Sequence, residues 1–104
     1  MAPKTILLIL YPRTEGTSFN YDYYIQKHIP FATEVWAPYG FQVPSITRMD
    51  ESSGYHLSAV LEFESREAFD KAQGADRLKE LMDDVGSGSF TKSEPAFSTG
   101  DSIV

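Results

Sequence analysis

Apolar and polar side chains alternate with two different periods along this chain, and each change of period marks an element. Lys4 to Tyr11 (KTILLILY) is an unbroken β-branched and aliphatic run closed by Pro12, which predicts a strand apolar on both faces and therefore central in its sheet. Within it Ile6, Leu8 and Leu10 point opposite to Leu7, Ile9 and Tyr11. The turn-rich stretch Pro12 to Ser18 (PRTEGTS) follows, and Asn20 or Asp22 can then cap a helix that runs to Pro38 or Tyr39, where Gly40 ends it. On that helix Tyr21, Tyr24, His28, Phe31 or Ala32, Val35 and Tyr39 share one stripe, with Trp36 beside it.

The period returns to two in Phe41 to Met49 (FQVPSITRM), where Pro44 predicts an edge strand or a bulge. MDESSGY supplies the hairpin turn. His56 to Phe63 (HLSAVLEF) is a third strand, with Leu57, Ala59, Leu61 and Phe63 on one face and His56, Ser58, Val60 and Glu62 on the other. Ser65 caps a second helix, whose apolar positions Ala68, Phe69, Ala72, Leu78, Leu81, Met82 and Val85 are interrupted at Gly74, predicting a kink or a split. After the GSGS segment at 86–89, Glu94 to Thr99 (EPAFST) reads as a weak fourth strand. No internal repeat or extended low-complexity tract is present.

The order βαββαβ predicts an α+β, ferredoxin-like plan: a four-stranded antiparallel sheet with two helices on one face, in a single domain spanning residues 1–104. Two helices can cover only one side of a first strand that is apolar on both. The other face therefore calls for a partner, most simply a second copy of this chain in a two-fold homodimer.

Composition narrows the function classes. The 104 residues are 41% hydrophobic, 23% charged and 13% aromatic, as expected of one folded domain. With 15 acidic against 9 basic side chains the net charge is −6, which repels nucleic acid and anionic membrane surfaces. The absence of cysteine excludes disulfides, thiolate metal sites and a cysteine nucleophile. The Ile6 to Leu10 run is too short to span a bilayer and lacks a signal-peptide cleavage pattern, so a soluble, cytoplasmic protein is expected. No phosphate-loop, dinucleotide or nucleophile-elbow motif occurs, and two histidines without clustered carboxylates do not suggest a metal site, so no cofactor is expected.

The chemistry concentrates in YDYYIQKHIPF, Tyr21 to Phe31. Pro30 has no N–H to give to the carbonyl of Gln26 and its ring crowds that turn, so the helix should bend or change pitch around His28 and leave a cavity there. A histidine in an apolar pocket could carry a proton to or from a carbon or oxygen acid, with Tyr24 or Tyr11 orienting it or polarising a carbonyl. The same histidine could equally be a core residue hydrogen-bonded to a tyrosine. Phe31, Trp36, Tyr39, Phe63, Phe69 and Phe97, with Phe90, are either pocket walls or ordinary core packing. His56 follows a turn and is expected to be exposed, and Asp83 and Asp84 look like a solvated helix end.

The string Tyr11-Pro12, Asp22-Tyr23-Tyr24 and His28-Ile29-Pro30 (YP…DYYIQKHIP) resembles the EthD family, small proteins named after a component of bacterial ether degradation. In that family a strand ending in Tyr-Pro precedes a helix carrying D-Y-Y-x-x-x-H-x-P. The resemblance implies a dimeric α+β barrel with a ligand cavity between helices and sheet, and places His28 at the family's histidine. Relatives by fold include cofactor-free polyketide cyclases, muconolactone isomerases, quinol-forming monooxygenases and haem-degrading enzymes, and fold does not choose among them. The leading expectation is a cofactor-independent enzyme that cyclises, isomerises or dehydrates a hydrophobic aromatic or polyketide-like compound, with His28 as general acid or base. The alternatives are a cofactor-free monooxygenase of a phenol or quinol, and a non-catalytic dimer that binds a hydrophobic ligand.

Overall fold

A computed structural model describes residues 3–103. Four antiparallel strands, β1 (Thr5–Pro12), β2 (Gln42–Arg48), β3 (Tyr55–Phe63) and β4 (Ala96–Asp101), form one sheet in the order β2-β3-β1-β4. β1 is central, as its two apolar faces require. Leu7, Ile9 and Tyr11 are buried under the helices, whereas Ile6, Leu8 and Leu10 lie half-buried on the opposite face. β2 is an edge, and its ladder with β3 is interrupted between Gln42 and Ser45, where Pro44 has no N–H to donate. β4 starts at Ala96 rather than Glu94, because pairing with β1 begins at Ala96 opposite Leu10, just beyond Pro95.

The first helix, α1, changes pitch along its length: an α turn at Tyr21–Tyr23, a π-helical stretch at Tyr24–His28, α-helix again over Ile29–Trp36 and a 3₁₀ turn at Ala37–Tyr39. Asn20 caps it, its side chain accepting from the Tyr23 amide. Gly40 stops it in the left-handed region at φ 66°. The second helical segment is split, not kinked. α2 (Arg66–Ala72) is capped by Ser65, and α3 (Leu78–Gly86) begins only after a break that contains Gly74. Trp36 Nε1–H donates to the Ala72 carbonyl and stitches α1 to the end of α2. Trp36, Phe41, Phe63 and Phe69 form an aromatic cluster of tilted and edge-to-face rings at that end of the core.

His56 departs from the exposed position expected of it: it is buried at 4% exposure, beside Leu57 at 1%. The cause is a register shift between Tyr11 and Pro12, where the pairing jumps from Leu57 to Tyr55. Alternation fails there, and His56 packs against Phe19 with Nε2 3.0 Å from Thr17 Oγ1.

Candidate active site

Between α1, α3 and the helix-covered face of β1 lies a cavity of about 290 Å³. Its walls are mostly apolar, from Leu7, Ile9, Leu61, Leu81, Met82 and Val85 among others, while Tyr11, Tyr24 and His28 supply a polar group at one place and Gln73 and Thr99 add two further polar residues. The change of pitch in α1 occurs at that place. In the π turn the Ile29 amide donates to the Tyr24 carbonyl five residues back, which widens the helix immediately before Pro30 and relieves the crowding of its ring. Both side chains that flank the widened turn, Tyr24 and His28, are buried and face the cavity.

His28 Nδ1 lies 2.7 Å from Asp84 Oδ2, and Tyr23 O–H donates to Asp84 Oδ1 at 2.7 Å. Asp84 is thus not a solvated helix end. It stands three residues after Leu81 and one before Val85, on the edge of the inward stripe of α3, and this spacing was the available signal for its role. The exposed end is represented by Asp83, which pairs with Lys79. Burial of Asp84 raises its pKa, but the hydrogen bonds from His28 and Tyr23 outweigh that and hold the carboxyl below its ordinary value, so it is ionised at neutral pH. Burial lowers the pKa of His28, against the pull of Asp84, so the imidazole is neutral. A neutral ring facing an ionised carboxylate must carry its proton on Nδ1. Nε2 is left with a lone pair, poised to accept a proton.

Tyr24 stacks on the His28 ring at 5.2 Å between centroids, and Phe90 closes over it at 4.8 Å. Tyr11 packs edge-on to Tyr24 at 5.9 Å. Both phenols have pKa values raised, chiefly by burial, so both stay protonated and able to donate across the physiological range.

Trp36, Phe69 and Phe97 line the cavity, and Phe97 stands half-exposed at 54% on the edge strand. The other expected pocket residues lie elsewhere. Phe63 is fully buried in the aromatic cluster, Phe31 is half-buried under the Arg77 guanidinium at 4.7 Å, and Tyr39 packs at the helix end. Among the described residues no group of three or more potential ligands could hold a metal ion, and no helix is long and apolar enough to cross a membrane.

No family model and no curated protein matches this sequence. Solved structures do match. An EthD-like protein from Ralstonia eutropha superposes with a TM-score of 0.77 at 19% identity, over 100% of this chain and 96% of its own. An ethyl tert-butyl ether degradation (EthD) family protein from Bacillus halodurans gives 0.67 at 17%, over 96% and 99%. A cofactor-independent oxygenase from Streptomyces nogalater gives 0.64 at 8%, over 100% and 96%. These likenesses establish the fold, and EthD-like proteins share it along their whole length.

Proposed function

We propose that this chain is a cofactor-independent enzyme of the EthD type that moves a proton on a neutral, hydrophobic aromatic or polyketide-like compound held in the α1–α3 cavity. One observation carries the reading: a neutral histidine, its Nδ1–H committed to an ionised Asp84, borders an apolar space large enough for one or two rings. His28 Nε2 removes a proton from carbon next to a carbonyl, and the electron pair moves onto the carbonyl oxygen. Tyr24 or Tyr11 donates a hydrogen bond to that oxygen, and Asp84 stabilises the imidazolium. The proton then returns to a different carbon in an isomerisation or to a departing hydroxyl in a dehydration. A cyclisation uses the enolate carbon as the nucleophile. The chain acts as a homodimer through its bare sheet face, in the cytoplasm.

Exchange of the α-proton of an enolisable aryl ketone in D₂O, followed by NMR, reads the first step without knowledge of the natural product. His28→Gln should slow catalysed exchange by about 10²–10⁴-fold with the fold intact. An unchanged rate would remove His28 from the chemistry.

A second reading draws on the fold shared with the Streptomyces nogalater oxygenase. The same base would deprotonate a phenol or quinol, and the electron-rich phenolate would react with dioxygen. Oxygen uptake with a hydroquinone, lost in His28→Gln, would select this reading. Retention of an unconverted ligand, seen by native mass spectrometry, would instead favour a non-catalytic binding protein.

A further inference from the structure

The lining of the His28 cavity is polar at two places, and the second lies at the opposite end from the histidine. Tyr11, Tyr24 and His28 mark one end. From His28 to Trp36 the rise along α1 is about 12 Å, and the Trp36 indole N–H reaches the Ala72 carbonyl, next to Gln73. On the sheet, β1 runs about 13 Å from Tyr11 back to Leu7, whose partner on β4 is Thr99. Gln73 and Thr99 therefore share the far end of the cavity.

Of the lining residues only Gln73, Met82, Phe97 and Thr99 are exposed, so these form the mouth. Its two polar members have hydrogen-bonding capacity to spare. Gln73 Nε2 donates to the Phe69 carbonyl at 3.1 Å, which holds the amide in place and leaves Oε1 without a partner, and Thr99 Oγ1 makes no hydrogen bond among the described residues. An amide oxygen that accepts, beside a hydroxyl that donates, matches a ligand hydroxyl, which needs one of each. Between the two ends the walls are aliphatic, from Leu7, Ile9, Ala32 and Leu81, and a polar group placed there would lose its hydration without gaining a partner. Among the described residues no lysine, arginine or carboxylate lines the cavity, which favours an uncharged guest.

From this arrangement we infer that the substrate is an elongated, uncharged compound of two fused rings, with its reacting carbonyl at the His28 end and a hydroxyl at the other, and that Gln73 and Thr99 select it by binding that hydroxyl. The inference rests on the proposed reading of the cavity and adds to it the end-to-end polarity of the substrate. Water at the open mouth competes for the same two groups, so the hydroxyl contributes a modest factor in affinity rather than a large one.

Binding of 2-acetylnaphthalene and of its 6-hydroxy derivative to the isotopically labelled full chain, followed by NMR, tests this apart from the chemistry. The hydroxy ketone should bind about five- to tenfold more tightly. Intermolecular NOEs should place its acetyl methyl near His28 and the ring protons beside its hydroxyl near the Thr99 methyl. Thr99→Val should reduce the preference, and with Gln73→Leu added, both at exposed positions, the two ketones should bind alike. Equal affinities in the unaltered protein, a preference that survives in the double variant, or the reverse placement overturns the inference. Exchange of the ketones' α-protons in D₂O reads the base separately. A preference without exchange removes the chemistry of His28 and leaves the selection by Gln73 and Thr99 standing, exchange without a preference does the converse, and failure of either ketone to bind overturns both.

Discussion

A carboxylate at the C-terminal end of a helix is poorly placed with respect to the helix dipole, and Asp84 occupies such a place in α3. Hydrogen bonds from His28 and Tyr23 compensate it and in return fix the ring of His28. Asp84 thus acts as a positioning residue. Asp84→Ala should cost about 10²-fold in catalysed exchange, because Nδ1 loses the acceptor that selects the productive tautomer. It should also lower the His28 pKa further, since the partner that raises it is gone. Lost exchange in a protein that stays folded marks positioning, whereas a purely structural Asp84 would leave the exchange rate of the folded protein unchanged.

At the scale of elements, local chemistry explains most boundaries. Gly40 sits at φ 66°, and a Cβ there would lie 2.6 Å from Cβ of Glu64. Gly40→Ala should destabilise the protein by about 1–3 kcal/mol in urea unfolding, with its slope unchanged. The fold was largely legible for this reason: Asn20, Gly40 and Ser65 each end or cap an element, Pro44 interrupts the ladder of an edge strand through its own backbone chemistry, and the aliphatic run of β1 could only be central. The change of pitch at His28 was legible from Pro30. The site was legible only in part. His28, Tyr24 and Tyr11 share a short stretch of chain and a motif, but the bond from His28 to Asp84 crosses the interval between two helices, and pairing at that distance leaves no periodic trace. His56 was misread because its burial depends on a register shift opposite Pro12, a property of two strands together. Phe63 and Phe31 were aromatic like the true cavity walls, and residue type alone does not tell a wall from core packing.

For the whole molecule, the two faces of the sheet carry the two largest consequences. One face holds the core and the cavity. The other shows Ile6, Leu8 and Leu10 beside Val60, half-buried in the isolated chain. If a second copy covers them, Leu8→Asp should convert dimer to monomer in analytical ultracentrifugation, while a wild-type monomer would refute the homodimer. Burial also couples the molecule to pH. Both histidines have folded-state pKa values below 6.5, so the unfolded chain takes up protons first as acidity rises. Their contribution to stability is complete above pH 6.5 and is lost as pH falls through that value toward the folded pKa values. Asp84 adds a further loss below about pH 3.8, its folded pKa also being lowered. Urea midpoints measured from pH 8 to pH 5 should fall, and a flat profile would contradict burial of the two rings as neutral groups.

The central claim is that His28 is a neutral, cavity-facing base tied through Nδ1 to Asp84. Direct ¹⁵N NMR of the imidazoles, with His56→Gln for assignment and an aryl ketone or phenol added, tests it. The account predicts a proton on Nδ1, a pKa below 6.5, and an Nε2 resonance that shifts saturably with the added compound. A proton on Nε2, or an Nε2 signal indifferent to every such compound, would make His28 a core residue and overturn the account.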